Sequence, residues 1–188
     1  MKKGLTTMII MALTAASCTS SDKMQNSDDF EYCNERFADL QMLRYKVDGF
    51  ENLTLKQKTF IYYLQEAALW GRDILFDQNG KYNLEIRQTL ENLYANYKGD
   101  RESKDFKAFE VYLKRVWFSN GIHHHYGCEK FIPEFSREWF VEQTKCSDEQ
   151  AEIIFNPNSM AKRVNLADGQ DLLLTSACNY YQGVTQKE

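Results

Sequence analysis

The strongest constraint on the fold is the helical spacing of apolar residues in the middle of this 188-residue chain. After Asn83, one apolar face recurs every three or four positions: Ile86, Leu90, Leu93, Tyr94 and Tyr97. A second face follows Asp105: Phe109, Leu113, Val116 and Trp117. Side chains at this spacing share one side of an α-helix. The pattern predicts two amphipathic helices, with Phe109, Trp117 and Phe118 in the core rather than on a binding surface.

Helix start signals flank these two segments. Thr54 followed by Gln57 forms a capping box, in which each side chain satisfies a free backbone N–H of the first turn. Apolar residues follow this box at helical spacing: Phe60, Leu64, Ala67 and Ala68. Ser147 and Gln150 form a second box, and a short helix is expected around Trp139. The central part of the chain is therefore predicted to be helical nearly throughout.

Two segments favour strands. In "FADLQMLRYKV" the second half alternates apolar and polar residues, which predicts a strand that ends at Asp48-Gly49. The segment "RVNLADGQDLLLTSA" is interpreted as two strands around Asp168-Gly169, a dipeptide typical of hairpin turns. The expected fold is mainly α with a minor β component (α+β), in a folded region of residues 30–188.

The N-terminal sequence "MKKGLTTMIIMALTAASC" has the anatomy of a secretory signal: two lysines, a short apolar run and small residues. Because Cys18 follows the small residues directly, we interpret residues 1–17 as a lipoprotein signal peptide and Cys18 as the lipid anchor. Residues 18–29 are polar and non-periodic, which indicates a flexible tether. The expected location is the bacterial cell envelope, in the periplasm or at the outer membrane. The alternatives are ordinary cleavage, or a weakly apolar start of a cytosolic protein.

Charge and cysteine usage narrow the possible partners. Removal of residues 1–17 takes away two lysines and no acids, so 21 basic residues face 27 acidic ones and the net charge moves from -4 to -6. No dense basic stripe remains, which excludes nucleic acid as the expected partner. The cysteines beyond Cys18 form no CxxC motif, and free thiols are favoured over disulfides: Cys33, Cys128, Cys146 and Cys178.

Every histidine of the chain lies in the stretch "SNGIHHHYG", residues 119–127. Alternate residues of an extended segment point the same way, so His123 and His125 could chelate a metal with Cys128 or Glu129. A single histidine could instead act as a catalytic base. A catalytic zinc site needs about three spaced protein ligands and an open position for water. The chain offers no such set, and we predict neither metal ligands nor catalytic residues within it.

Three stretches resemble the N-terminal part of the dipeptidyl peptidase III family, in its exported Bacteroidetes-type branch. They are "LTLKQKTFIYYLQEAALWGRDILF", "FKAFEVYLKRVWFSNGIHHHYGCEKFIPEFSREWF" and "LLLTSACNYYQGVTQKE". The resemblance covers roughly residues 35–188. Its most specific part is the middle stretch, with Ser-Asn-Gly, the aromatic-glycine step Tyr126-Gly127, and Lys130-Phe131-x-Pro133.

The resemblance implies a two-lobed zinc metallopeptidase that releases dipeptides from the N-termini of oligopeptides. In this family, an HExxGH helix and a carboxylate of a second helix hold the zinc, and this chain contains no HExxGH. The chain would be part of the lower lobe, inactive alone, with the zinc in a missing C-terminal lobe. A third capping box, Thr185 with Glu188, opens a helix at the end of the sequence and likewise suggests a truncated, aggregation-prone fragment.

The resemblance also implies where substrate would bind. Tyr126 and Gly127 match an aromatic-glycine step that faces the peptide, and His125 and Asn120 are expected beside it. An aromatic ring offers a flat apolar contact, and glycine permits close backbone approach. The triple histidine has no counterpart in the family pattern. The alternatives are a structural loop that packs Tyr126 inward, and a non-catalytic, lipid-anchored peptide-binding module on the same scaffold.

Overall fold

The computed structural model describes residues 30–188, and the predicted signal peptide, the Cys18 anchor and the tether lie outside them. The described part is mainly helical with one small antiparallel sheet, which confirms the predicted fold class. Its strands are β1 (Cys33–Phe37) and β2 (Leu40–Leu43). Its helices are α1 (Leu55–Trp70), α2 (Arg72–Asn79), α3 (Asn83–Asn96), α4 (Lys104–Ser119), α5 (Arg137–Thr144), α6 (Asp148–Phe155) and α7 (Leu172–Thr175).

The core forms where α3 and α4 pack together and against α2, α5 and α6. The predicted apolar faces of α3 and α4 are buried, and Phe109 is fully inaccessible. Large side chains from the neighbouring elements complete this core: Phe76, Phe135, Phe140, Ile153 and Ile154. Trp117 packs against the core while its indole Nε1 donates a hydrogen bond to Glu91 at 2.8 Å. Phe118 is 36% exposed, so its predicted core position is wrong.

The predicted caps begin the helices as expected, with one difference. Both hydrogen bonds of the Thr54 capping box are present at the start of α1. The Ser147 hydroxyl accepts a hydrogen bond from the Gln150 backbone at 3.1 Å. The Gln150 side chain, however, donates to Glu85 at 3.2 Å and ties α6 to α3. A tertiary partner thus takes the second half of the predicted box.

The first predicted strand ends earlier than the sequence suggests. β1 and β2 form a hairpin in which Phe37 pairs with Leu40 and Cys33 pairs with Leu43. The backbone N–H of Arg44 still donates to Tyr32 at 2.8 Å, but the ladder stops there. Residues 44–47 continue the alternating pattern without a partner strand in the described chain, and so form no sheet.

The predicted second hairpin is wrong. Asp168 and Gly169 do form a turn, but the following segment is the short helix α7 rather than a strand. The Asp171 carboxylate accepts hydrogen bonds from the backbone N–H groups of Leu173 and Leu174, at 2.9 and 3.1 Å. An aspartate in this position caps a helix. These two local hydrogen bonds outweigh the strand preference of the composition.

Helix α1 has the predicted length but not the predicted burial. Phe60 is 63% exposed and Trp70 is 86% exposed, although both lie in a predicted helix with an apolar face. Most of the large apolar side chains of α1 are exposed: Leu55, Phe60, Ile61, Tyr62, Tyr63, Leu64, Leu69 and Trp70. This apolar surface continues onto α2 through Ile74 and Leu75. Across residues 30–188, no helix has both the length and the apolar character needed to cross a membrane.

Candidate functional site

The histidine loop, residues 120–131, leaves the end of α4 and folds back on itself as a small hairpin. His123 and Lys130 form an antiparallel bridge. The His124 N–H donates to the Glu129 carbonyl at 2.7 Å, and the Phe131 N–H donates to the Ile122 carbonyl at 2.8 Å. The loop tip between these bonds carries Tyr126 and Gly127.

A second segment, residues 161–163, holds the outer side of this hairpin. The Lys130 N–H donates to the Ala161 carbonyl at 3.3 Å, and the Arg163 N–H donates to the Cys128 carbonyl at 2.9 Å. The Arg163 guanidinium also donates to the His125 carbonyl at 3.0 Å. Residues 177 and 178 then pair with the far side of this segment. Backbone bonds to residues 161–163 therefore fix the loop, and residues 177 and 178 hold that segment in turn.

The three histidines have three different environments. His123 is 2% exposed, and its Nε2 lies 2.6 Å from the Met160 carbonyl. Burial lowers the pKa of His123 to about 4. The Nδ1 atom of His124 accepts hydrogen bonds from the backbone N–H groups of Gly127, at 2.9 Å, and Tyr126, at 3.3 Å. It thereby shapes the loop tip.

His125 lies in a stack of rings on the surface. Its ring centroid is 4.6 Å from that of His124, 5.0 Å from that of Phe118 and 4.4 Å from that of Tyr126. Partial burial lowers the pKa of His125, and the neighbouring His124 and Arg163 add to the effect. The neutral ring is therefore favoured, as expected for a ring packed between other rings.

This geometry argues against a chelate of His123 and His125. The Nε2 of His123 is committed to a carbonyl inside the protein, and Glu129 pairs with Lys162 at 3.1 Å. Within residues 30–188, no group of three or more His, Cys, Asp and Glu side chains is arranged to hold a metal ion. The cysteines of this range are free thiols: Cys33, Cys128, Cys146 and Cys178.

Tyr126 and Gly127 occupy the exposed tip of the loop. The Tyr126 side chain is 85% exposed and lies against the ring of His125. It does not pack against the interior of the described chain. A Cβ at Gly127 would collide with the Glu129 carboxylate, which lies across the turn. Glycine at this position thus lets the backbone and this carboxylate approach each other.

Asn120 has a local structural role. Its backbone adopts the left-handed conformation, with a φ of 52°, and ends α4. Its carbonyl accepts a hydrogen bond from the Asn79 side chain at 3.0 Å, which joins the start of the loop to the end of α2. The structure brings His125 and Tyr126 together in one patch, while Asn120 positions the chain that leads to them.

Sequence reasoning missed the charged residues around this patch. Arg115 on α4 forms an ion pair of 2.6 Å with Asp39 at the hairpin turn, and its guanidinium lies 5.4 Å from the centre of the Phe131 ring. Phe37 also contacts Phe118, with ring centroids 6.2 Å apart. These contacts place the β-hairpin beside the histidine loop. Asp39 and Arg115 are 76 residues apart, and no local pattern connects them.

No protein-family model matches this chain, and no curated protein matches it.

Proposed function

We propose that this chain is the N-terminal part of a zinc-dependent dipeptidyl peptidase similar to the dipeptidyl peptidase III family. It would form part of the lower lobe and contribute one wall of the cleft that binds oligopeptides. The whole enzyme would release dipeptides from the N-termini of its substrates. Cys18 would carry a lipid anchor that holds the exported protein in the bacterial cell envelope.

The main support for this proposal is that Tyr126 is exposed at the tip of a fixed loop. Its ring is 85% exposed, yet the loop beneath it is fixed by backbone hydrogen bonds to residues 161–163. An aromatic ring loses little conformational entropy on binding, and it offers a flat apolar face to a peptide side chain. His125 supports this ring from behind, at a centroid distance of 4.4 Å. The arrangement suits a pre-organised contact surface better than a mobile loop.

The exposed apolar side chains of α1 support the view that more protein covers this part. A helix that is apolar on several sides is ordinarily buried within a larger body. Phe60, Leu64 and Trp70 are all more than half exposed. Exposed apolar patches of this kind mark interaction surfaces or aggregation-prone sites. We propose that another part of the same protein packs on α1.

The zinc of the proposed enzyme does not fit the residues described. A catalytic zinc needs about three protein ligands, and residues 30–188 offer no suitable group of His, Cys, Asp and Glu side chains. We therefore assign the ligands to the C-terminal lobe, and no chemical step to this chain. The purified chain with added zinc should release no dipeptides, and chelator-sensitive release would contradict the proposal.

Peptide binding tests the proposed cleft wall directly. Titration of the ¹⁵N-labelled chain with unlabelled tetrapeptides should shift the amide resonances of Tyr126 and Gly127, and Tyr126→Ala should weaken binding at least several-fold. Tyr45→Ala is the matched control, because Tyr45 is 84% exposed but lies after β2. Equal binding by both variants, or shifts confined to other regions, would refute the assignment of the loop.

A second experiment distinguishes the peptidase from a lipid-anchored binding module on the same scaffold. The genomic reading frame is followed beyond the codon for Glu188. A frame that continues into an HExxGH motif supports the peptidase. A stop codon, with no gene nearby that encodes the missing lobe, supports the binding module.

A further inference from the structure

A small cavity lies beneath the histidine loop, between the start of α3 and the segment that follows α6. Its volume is about 10 Å³, and its walls include Gly80, Asn83, His123 and Met160. Asn83 and His123 are each 2% exposed. The Nδ2 atom of Asn83 and the Nδ1 atom of His123 are buried and have no hydrogen-bond partner within the described chain. Two unpaired polar atoms therefore belong to side chains that line one cavity.

The neighbours of Asn83 fix which end of its amide is unpaired. The Asn83 Oδ1 accepts a hydrogen bond from the Ile122 backbone N–H at 3.3 Å. A flipped amide would place its NH₂ group against this donor, so the Oδ1 must face Ile122. Gly80 and Gly121 lie so close to this amide that a Cβ at either position would press on it. The unpaired Nδ2 is therefore a hydrogen-bond donor in a fixed place.

The neighbours of His123 likewise fix its tautomer. Its Nε2 lies 2.6 Å from the Met160 carbonyl oxygen, which can only accept a hydrogen bond. The proton of the neutral ring is therefore on Nε2, and Nδ1 is an acceptor. Burial favours the neutral ring, and the positive charges of Lys130 and Arg163 act in the same direction on its pKa.

We propose that this cavity binds one water molecule, which accepts a hydrogen bond from Asn83 Nδ2 and donates one to His123 Nδ1. Buried polar atoms in proteins nearly always have a partner, and a single water commonly supplies it. A volume of roughly 10–15 Å³ is enough for one water. A donor from Asn83 and an acceptor from His123 require a ligand that can both accept and donate a hydrogen bond. Lys130 and Arg163 disfavour a cation there.

The bound water would connect the first residue of α3 to the base of the histidine loop. Ile122 already bonds to Asn83, and His123 pairs with Lys130 across the hairpin. The water adds a second link between the same two elements, one residue further along the loop. This role does not depend on the peptidase assignment, because it involves only the interior of the described chain.

Water–protein magnetic relaxation in the whole chain tests this inference. A rotating-frame Overhauser experiment detects direct contact between a long-lived water and the methyl protons of Ile122 and Ile153, which also line the cavity. We expect a direct cross-peak in the wild type and its loss in Asn83→Leu. Asn79→Leu is the matched control. Its amide bonds to the same segment at Asn120 but is not among the residues that line the cavity, so the cross-peak should persist.

A second measurement keeps the inference testable if Asn83→Leu does not fold. In the wild type, the ¹⁵N resonance of His123 Nδ1 should show the shift of a hydrogen-bonded, unprotonated nitrogen, as that of His124 Nδ1 should. A free Nδ1 in His123, or no water cross-peak in the wild type, would overturn the proposal. So would a cross-peak that survives in a folded Asn83→Leu.

Discussion

Acidification should destabilise this protein through His123 in particular. Its ring is 2% exposed, and burial lowers its pKa from 6.5 to about 4. In the unfolded chain the same ring titrates near 6.5. The unfolded state therefore takes up the proton first as the pH falls. The contribution of His123 to stability is fully present above about pH 6.5 and is lost as the pH falls towards about 4.

The size of this loss follows from the two pKa values. A pKa difference of about 2.5 corresponds to roughly 3 kcal/mol once both states are protonated, below about pH 4. At pH 5 the unfolded histidine is almost fully charged and the folded one is almost fully neutral. The loss at that pH is therefore about 2 kcal/mol. A domain of this size has only about 5–15 kcal/mol of stability, so the effect is readily measured.

Urea denaturation at pH 7 and pH 5 provides the assay. His123→Gln removes the titrating ring but keeps a side-chain amide that can donate to the Met160 carbonyl. We expect the free energy of unfolding of this variant to fall by about 2 kcal/mol less than that of the wild type between the two pH values. His124→Gln is the control and should retain the loss due to His123. Carboxylates titrate in all three proteins and largely cancel. An equal pH dependence of wild type and His123→Gln would refute the reasoning.

Three further predictions concern packing, backbone and surface. Phe109→Ala should lower the free energy of unfolding, measured by urea denaturation, by about 3–5 kcal/mol, because Phe109 is fully buried. Val111→Ala, on an exposed side of the same helix, should change it by about 0.5 kcal/mol or less. Gly121→Ala should cost about 1–3 kcal/mol, since its φ is 150° and a Cβ would meet a buried amide. Gly169→Ala also places a side chain at a positive φ, 75°, but its Cβ meets open space, so it should cost less, and equal losses would contradict this. Trp70→Lys should reduce self-association in sedimentation velocity without loss of helicity, because Trp70 is an apolar side chain that is 86% exposed. Unchanged association would argue against α1 as the surface through which the chain self-associates.

The helices could be predicted because their signals are local. Ile86 and Leu90 lie one helical turn apart and are both fully buried, as their spacing predicts. The Thr54 capping box likewise needs only the first turn of α1. Burial of the α1 face could not be predicted in the same way, because apolar spacing states which residues share a side and not what covers that side. Phe60 illustrates this, since it keeps the spacing and is 63% exposed.

The candidate site could be predicted only in part. The sequence placed Tyr126 and His125 together, and their rings do lie 4.4 Å apart. It could not place Asp39 beside Arg115, or residues 161–163 beside the loop, because those contacts depend on how distant segments pack. The orientation of the three imidazoles could not be predicted either, because it depends on the tight turn of the loop. Alternation along an extended strand would separate His124 from His125, whereas the tight turn stacks their rings at 4.6 Å.

The order of contacts in the core bears on how the chain folds during synthesis. α2 contacts α3, α3 contacts α4 and α5, and α5 contacts α6, so most helix pairs of the core are neighbours in sequence or one helix apart. Chains with such local contacts fold fast, and domains commonly fold as they leave the ribosome. The core can therefore form once residues up to 155 are free to fold. α1 precedes that core in the chain and has no buried residue, which makes it the segment most in need of a chaperone until other protein covers it.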